Sequence, residues 1–275
     1  MLSAVTVSLV PEARGGPFVY WDGLTKACEQ ASQLGFNGIE VFPRSAEEVD
    51  WRKLRDLLSQ HDLKLAAVGT GGGWVVHKLR LTDADEAVRK AAVAFASDII
   101  DRAGELGAPA IVGSMQGRWE GAVTRDQALQ WFAEALEQLA PRAERQGTFV
   151  LIEPLNRYET NVLNGVAESI AFMKGLEAQN VKLLCDLFHM NIEEVDLASA
   201  IHSAGRRLGH VHFADSNRRA IGFGHLDVES IFGALREVGY KGWLSAEILP
   251  LPDSETAAAQ TIRAFSQFTT EATEA

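Results

Sequence analysis

The chain has 275 residues, a hydrophobic content of 47%, a charged content of 23% and a formal net charge of −11. This balance is typical of a soluble globular protein and argues against a nucleic-acid partner, because phosphate backbones require faces rich in lysine and arginine. No apolar run approaches the roughly 20 residues of a membrane span, and Met1–Val10 lacks the basic leader of a signal peptide. We therefore expect a cytoplasmic protein without a membrane partner, in which Cys28 and Cys185 are reduced thiols.

Short apolar runs alternate with longer segments of helical period along the whole chain. Runs rich in valine, isoleucine and leucine, separated by helices, are typical of a parallel sheet covered by helices. The predicted strands are Val5–Val10, Gly38–Phe42, Lys64–Gly69, Ala110–Ser114, Phe149–Glu153, Lys182–Asp186, His210–Ala214 and Trp243–Ile248. The predicted helices are Leu24–Leu34, Ala46–His61, Asp83–Leu106, Arg125–Gln146, Gly165–Gln179, Leu197–Ala204, Val228–Val238 and Ser254–Phe268.

Eight strand–helix units favour a closed barrel over an open doubly wound sheet. Barrels of this kind routinely use about 250 residues as one unit. An open sheet would normally use fewer strands at this length, and no GxGxxG motif follows the first strand. The sequence therefore predicts the α/β fold class, as a single (β/α)8 TIM-barrel domain over residues 1–275.

Polar side chains end the last four predicted strands. They are Glu153, Asp186, His212 and Glu247. In such a barrel the carboxyl ends of the strands form one face, which carries the chemistry of barrel enzymes. Three carboxylates that converge with an imidazole repel one another unless a cation lies among them. We therefore expect a metal site, with a structural network of ion pairs as the competing interpretation.

The chemistry of this ligand set limits the choice of metal. Three carboxylates and one imidazole suit Mn²⁺, Mg²⁺ or Co²⁺, and Zn²⁺ less well. Glu159, His189 and Arg218 follow the metal candidates by three to six residues along the chain. Each could be an ordinary solvated loop residue, but this shared placement favours a functional role just above the metal.

Four segments of the second half carry a resemblance to a known family: Leu151–Arg157, Asp186–Glu194, His210–Arg219 and Ser245–Glu247. In order and spacing they resemble the xylose-isomerase-like TIM barrels, and within these the ketose 3-epimerases of the tagatose/psicose type. The resemblance implies a divalent cation, usually manganese, held by the residues that end the last four strands. It also implies a sugar substrate, contacted by Glu159, His189 and Arg218, and a homodimer or homotetramer.

The predicted function is metal-dependent epimerisation of a ketose or keto-sugar acid next to its carbonyl. Glu153 and Glu247 would remove and return a proton from opposite faces while the metal stabilises the enediolate. A metal-dependent lyase, dehydratase or isomerase acting on an oxidised sugar or keto-inositol is one alternative. A non-catalytic sugar-binding barrel is another. The apurinic endonuclease branch of the superfamily is disfavoured, because the chain lacks a basic groove and extra histidines after strands two to four.

Several other residues have possible supporting roles. Glu40, at the end of strand two, is expected to support the site from behind the metal ligands. His77 and His225 fall in loops at the mouth of the barrel, where a substrate role is open. An apolar wall around a sugar is expected from four aromatic residues, namely Trp74, Trp119, Phe188 and Phe223.

Overall fold

Eight parallel strands close into a barrel, in which each strand pairs with the next in sequence and the last pairs with the first. The computed structural model describes residues 1–270, and residues 271–275 of the predicted domain lie outside the described residues. The strands are β1 (Leu2–Ser8), β2 (Gly38–Phe42), β3 (Lys64–Gly69), β4 (Ala110–Val112), β5 (Val150–Ile152), β6 (Val181–Asp186), β7 (Leu208–His212) and β8 (Trp243–Ala246). This ring confirms the predicted (β/α)8 fold class.

Helices follow the strands and pack against the outside of the barrel. Within residues 1–270 they are α1 (Leu24–Leu34), α2 (Trp51–Gln60), α3 (Gly72–Val75), α4 (Glu86–Gly104), α5 (Arg125–Arg145), α6 (Val166–Met173), α7 (Leu187–Glu193), α8 (Leu197–Ala204), α9 (Val228–Glu237) and α10 (Ser254–Thr270). None of these described helices combines the length and the apolar character needed to cross a bilayer. The short helices α3 and α7 were not predicted, and both follow the carboxyl end of a strand.

Two element boundaries differ from the predicted ones for identifiable reasons. The first strand is Leu2–Ser8 rather than Val5–Val10, because Pro11 opens a 3-10 turn just beyond it. The helix after β2 begins at Trp51, later than predicted, since the Asp50 side chain caps it by accepting a backbone hydrogen bond at 2.9 Å. Such caps fix a helix start more sharply than apolar periodicity does.

The interior of the barrel is apolar on one side and polar on the other. Ala67, Ile111, Leu151 and Leu184, on strands β3 to β6, form a small buried apolar cluster. Their sequence neighbours face the helices, as alternation along a strand requires. On the other side, Glu40 of β2 hydrogen-bonds to histidines of β7. Because β2 and β7 are not neighbours in the ring, these hydrogen bonds cross the interior.

Candidate metal centre and active site

The four candidate metal ligands converge at the carboxyl end of the barrel. Asp186 and His212 are the last residues of β6 and β7, while Glu153 and Glu247 come directly after β5 and β8. One ligand atom from each side chain can be chosen so that all of these atoms lie within 4.8 Å of one another. The structure thus brings together all four residues that the sequence placed at one site.

Nδ1 of His212 lies among the three carboxylates. It is 3.1 Å from Glu153 Oε1, 3.3 Å from Asp186 Oδ2 and 3.4 Å from Glu247 Oε2. A single imidazole nitrogen has at most one hydrogen to share, so it cannot satisfy three acceptors. Glu153 Oε1 is buried and accepts no hydrogen bond from any described residue.

An orphaned carboxylate oxygen at the centre of an oxygen-rich cluster is the feature that a bound cation explains. Three carboxylates and one imidazole provide the hard and borderline donors that divalent metals of the Mn²⁺ type prefer. The residues present therefore fit a divalent cation.

A second buried layer lies behind His212. Its Nε2 lies 3.1 Å from Glu40 Oε1, and Nε2 of His210 lies 2.8 Å from the other oxygen of Glu40. Burial opposes ionisation of Glu40, but the two histidines hold the pKa of this carboxyl well below its usual range. Glu40 is therefore an acceptor, which places a proton on Nε2 of His212 and leaves Nδ1 free to coordinate a metal.

This network extends the role predicted for Glu40 and adds a residue that sequence reasoning missed. The same three side chains offer a second group of possible ligand atoms, but the two hydrogen bonds already satisfy the Glu40 carboxylate. His210 received no role in the sequence analysis. Its spacing contained a signal, because residues two apart on a strand face the same side, so His210 must accompany His212 into the interior.

Burial governs the protonation of the central carboxylates. Loss of solvation raises the pKa of Glu153 to about 7, and it also raises the pKa of Glu247. Burial acts on Asp186 in the same direction, but His189 and Arg218 outweigh it and hold the pKa of Asp186 well below its usual range. Protons thus remain on the cluster near neutral pH until a cation displaces them.

The two carboxylate oxygens of Asp186 have different partners. Oδ1 accepts hydrogen bonds from the backbone N–H groups of Phe188 and His189, at 2.8 and 3.4 Å, and so caps α7. Oδ2 faces His212. This cap starts α7 directly at the strand end and fixes the position of His189 in the helix.

The three predicted substrate contacts lie beside the metal centre. Arg218 hydrogen-bonds to Glu247 and lies 3.4 Å from Asp186 Oδ2, and its Nη1 is 3.3 Å from Nε2 of His189. Glu159 Oε1 lies 3.8 Å from Arg218 Nη1. The structure therefore brings these three residues together with the four candidate ligands.

The tautomer of His189 follows from its neighbour Asn156. The backbone N–H of Asn156 can only donate, and it lies 3.3 Å from Nδ1 of His189. Nδ1 is therefore the acceptor, and the ring proton lies on Nε2. Arg218 Nη1, 3.3 Å from Nε2, can only donate, so that contact is not a hydrogen bond and the Nε2–H remains available to a ligand. Burial lowers the pKa of His189 to about 4, so the ring is neutral at neutral pH. Asn156 was not assigned a role from the sequence.

A cavity of about 410 Å³ opens onto this centre, and residues from the first half of the chain form much of its wall. Of the aromatic residues expected there, only Trp74 lines the cavity, together with Phe18 and Phe42. Phe18 and Phe42 stack at 4.5 Å between ring centroids. The loop after β4 comes close because it begins with Gly113, where a side chain would collide with the Glu153 carboxylate.

The other expected wall and loop residues lie elsewhere. Trp119 hydrogen-bonds to a neighbouring loop, because its Nε1 donates to Asn161 O at 2.6 Å. Phe188 lies beneath the Arg218 guanidinium, 4.7 Å away. His77 and His225 do not line the cavity, which removes the basis for a substrate role.

Comparisons with known proteins agree with this geometry. The family model described as "Xylose isomerase-like TIM barrel" matches residues 28–268. An L-ribulose 3-epimerase of Methylomonas sp. (strain DH-1) is 30% identical over 243 residues, which are 85% of this chain and 83% of that protein. A D-psicose 3-epimerase of Agrobacterium fabrum is 33% identical over 234 residues, or 84% of this chain and 78% of that protein.

A similar structure leads to the same family. The crystal structure of a D-allulose 3-epimerase from Methylomonas sp. superposes with a TM-score of 0.82 and 25% sequence identity, and the match covers 98% of both chains. The family model also spans most of the chain, including Glu40 and all seven candidate ligand and substrate positions from Glu153 to Glu247. The chain therefore belongs to the xylose isomerase-like TIM barrel family.

Proposed function

We propose that this protein is a divalent-metal-dependent isomerase that epimerises a ketose at the carbon next to its carbonyl. The observation that carries the proposal is the placement of Glu153 and Glu247 around one cluster of ligand atoms. The relatives that act on L-ribulose and D-psicose at carbon 3 support the same reaction class.

Glu153, Asp186, His212 and Glu247 would hold the cation. We propose Mn²⁺ as the metal, with Mg²⁺, Co²⁺ or Zn²⁺ as alternatives, since the donors are mainly hard oxygens. When bound, the cation supplies Lewis-acid stabilisation of the negative charge that develops on a ketone oxygen as the neighbouring proton leaves.

The acid–base work falls to the two glutamates. They follow β5 and β8, which β6 and β7 separate in the ring, so the two carboxylates approach the cavity from different sides. One glutamate removes the proton and the other delivers a proton to the opposite face, which inverts the carbon. Each such transfer typically contributes about 10²–10⁴-fold in rate.

The remaining three residues hold the substrate. The neutral His189 ring presents an Nε2–H donor, and Arg218 presents a guanidinium that Glu247 holds in place. Both can donate to the carbonyl and hydroxyl oxygens of a sugar. Glu159 is partly exposed on the cavity wall, where its carboxylate can accept from a terminal hydroxyl.

Deuterium wash-in tests the reaction directly. Protein loaded with Mn²⁺ is incubated in D₂O with L-ribulose or D-psicose, and NMR follows the label at the carbon next to the ketone. We expect label and inversion at that carbon in the wild type, and loss of both in Glu153→Gln and Glu247→Gln. The control is Glu237→Gln, at a surface glutamate whose partner is His202.

The other outcomes distinguish the competing functions. A dehydrated product with no epimer would instead indicate a lyase. Saturable binding without label in any ketose would indicate a sugar-binding barrel. Near-normal exchange in either active-site variant would show that the altered glutamate is not a base.

We also propose that residues 1–275 form one domain that assembles as a homodimer or homotetramer in the cytoplasm. The family resemblance supports the assembly, and the buried free thiols of Cys28 and Cys185 suit a reducing compartment. Light scattering coupled to gel filtration measures the assembly, and a monomer at working concentration would contradict it.

A further inference from the structure

One cation on the wall of the active-site cavity has no counter-charge. Arg118 lines the cavity, and in the described part of the chain no side chain or backbone group gives it a hydrogen bond or an ion pair. The other two lining arginines are both paired. Arg218 bonds to carboxylates of the metal centre, and Arg80 bonds to Asp83 and Glu120 at 2.7 and 2.9 Å. Arg118 is therefore the cation that remains available to a ligand.

The backbone on either side of Arg118 is fixed. Thr160 Oγ1 donates to Gly117 O at 2.6 Å, and Asn161 Nδ2 donates to Trp119 O at 2.9 Å. Gly117 has a φ of 83°, in the left-handed region that favours glycine. The loop backbone that carries Arg118 is thus held in place before any ligand arrives.

Two further cations lie along the same part of the chain, although Arg80 is paired with Asp83 and Glu120 and the chain as a whole carries a net charge of −11. Arg80 and Lys78 lie over the ring of Trp74, at 5.6 and 5.4 Å, and Trp74 and Arg80 line the cavity beside Arg118. Among the described residues that line the cavity, Arg118 is the unpaired guanidinium, and it provides a local attraction for an anion that the acidic surface does not.

The partly exposed acidic residue of the wall, Glu159, does not pair with this cation. Glu159 lines the same cavity, but its Oε1 accepts from Asn156 Nδ2 at 3.0 Å and lies 3.8 Å from Arg218. Its interactions are therefore directed toward the metal centre.

The chemistry of the guanidinium defines the ligand. Its planar donors match the oxygens of a carboxylate or a phosphate, and such charge-assisted bonds are stronger than those to a neutral hydroxyl. Resting on the proposed epimerase function, we propose that the preferred substrate is a ketose derivative with an anionic group, carboxylate or phosphate, at the end remote from the ketone. Arg118 binds this group while the ketone end lies at the metal centre.

The test compares three substrates that differ only at the remote end: a ketohexose, its 6-phosphate, and the ketohexuronate with a carboxylate at carbon 6. Steady-state kcat/KM is measured for the wild type, Arg118→Gln and Arg118→Lys, all loaded with Mn²⁺. The matched control is Arg219→Gln, at an exposed arginine of the mouth that does not line the cavity. Calorimetry with the same three compounds measures binding independently of turnover.

We expect the wild type to favour one or both anionic substrates by at least about tenfold, the range of one charge-assisted hydrogen bond. Arg118→Gln should remove this advantage through KM and leave the neutral ketohexose within about twofold. Arg118→Lys should keep more of a phosphate preference than of a carboxylate preference, because lysine is a point charge. Arg219→Gln should behave as the wild type. The anionic substrate whose kcat/KM falls in Arg118→Gln shows whether the preferred anion is a carboxylate or a phosphate.

Three results would overturn the inference. The first is a wild type that prefers the neutral ketohexose. The second is a preference for the anionic substrates that survives in Arg118→Gln. The third is an equal loss of kcat/KM in Arg118→Gln on all three substrates. If no substrate shows turnover, the proposed epimerase function fails, and the calorimetric comparison still decides the role of Arg118. Equal affinity of wild type and Arg118→Gln for the anionic compounds would then contradict it.

Discussion

Nε2 of His212 lies 3.1 Å from Oε1 of Glu40, a carboxylate carried by a strand on another side of the barrel. This hydrogen bond turns the other ring nitrogen toward three carboxylates. His210 holds the second oxygen of Glu40 at 2.8 Å. The orientation and tautomer of the candidate metal ligand His212 thus depend on Glu40 and His210, which are not among the four candidate ligands.

Glu40→Gln should weaken metal binding without unfolding the barrel. An amide keeps the size of the side chain but no longer holds a proton on Nε2 of His212 by charge. We expect the Kd for Mn²⁺, measured by calorimetry, to rise about 10–100-fold. Glu237→Gln alters a surface glutamate–histidine pair with a similar distance of 2.8 Å and should leave the Kd unchanged. Equal affinities of Glu40→Gln and wild type would argue against an orienting role.

The stabilisation by metal should increase with pH. Folding raises the pKa of Glu153 from 4.5 to about 7, so stability from its protonated form is fully present below about pH 4.5 and is lost as pH rises through about 7. The raised pKa values of Glu247 and His212 act in the same direction. The lowered pKa of Asp186 acts in the opposite sense, but only at more acidic pH.

A cation that replaces these protons removes the loss of stability that the metal-free protein suffers from them as pH rises. We expect the rise in Tm caused by saturating Mn²⁺ to be larger at about pH 8 than at about pH 5.5, in differential scanning calorimetry. A Tm increase that is the same at both pH values would show that the central carboxylates carry no proton to displace.

His189→Gln should separate substrate binding from metal binding. The ring is neutral and presents Nε2–H to the cavity, but it is not among the four candidate ligands. We expect kcat/KM for the ketose to fall about 10–100-fold, the cost of one to two lost hydrogen bonds to a polar substrate. The Mn²⁺ Kd should stay within about twofold of wild type. A parallel loss of metal affinity would place His189 among the ligands instead.

Gly113→Ala should damage the site through shape alone. A Cβ at this position would collide with the Glu153 carboxylate, so either the loop or Glu153 must move. We expect a loss of at least about tenfold in Mn²⁺ affinity, since a displaced ligand binds poorly. The control is Gly233→Ala in α9, where a Cβ meets nothing within 4 Å. That variant should gain about 0.5–1 kcal/mol in unfolding free energy, because alanine favours the helix. Unchanged metal affinity in Gly113→Ala would show that the loop moves and Glu153 stays in place.

The alternation of apolar runs and helical segments was sufficient to predict the fold and the cluster of four candidate metal ligands. Alternating apolar runs and helical segments predicted all eight strands, because a buried parallel strand must be continuously apolar. A charged residue that ends such a strand is conspicuous for the same reason. Glu153, Asp186, His212 and Glu247 were therefore visible before their distances were known.

The features that were missed depend on contacts across the barrel. Nothing local in β2 or β7 indicates that Glu40 pairs with His210, since the two strands meet only through closure of the ring. The wall residues Phe18, Phe42 and Arg118 were not predicted for a related reason. Phe18 and Arg118 lie on loops of the first half, and Phe42 is the last residue of β2. At such positions neither periodicity nor a recognised motif shows which side chains turn toward the cavity.

The central claim is that one divalent cation binds among the residues that end the last four strands. Anomalous diffraction from a crystal grown with Mn²⁺ measures this directly. The account predicts a single strong peak bonded to Glu153, Asp186 and Glu247, and to His212 through Nδ1. A peak among Glu40, His210 and Nε2 of His212, or no peak at either cluster, would contradict it.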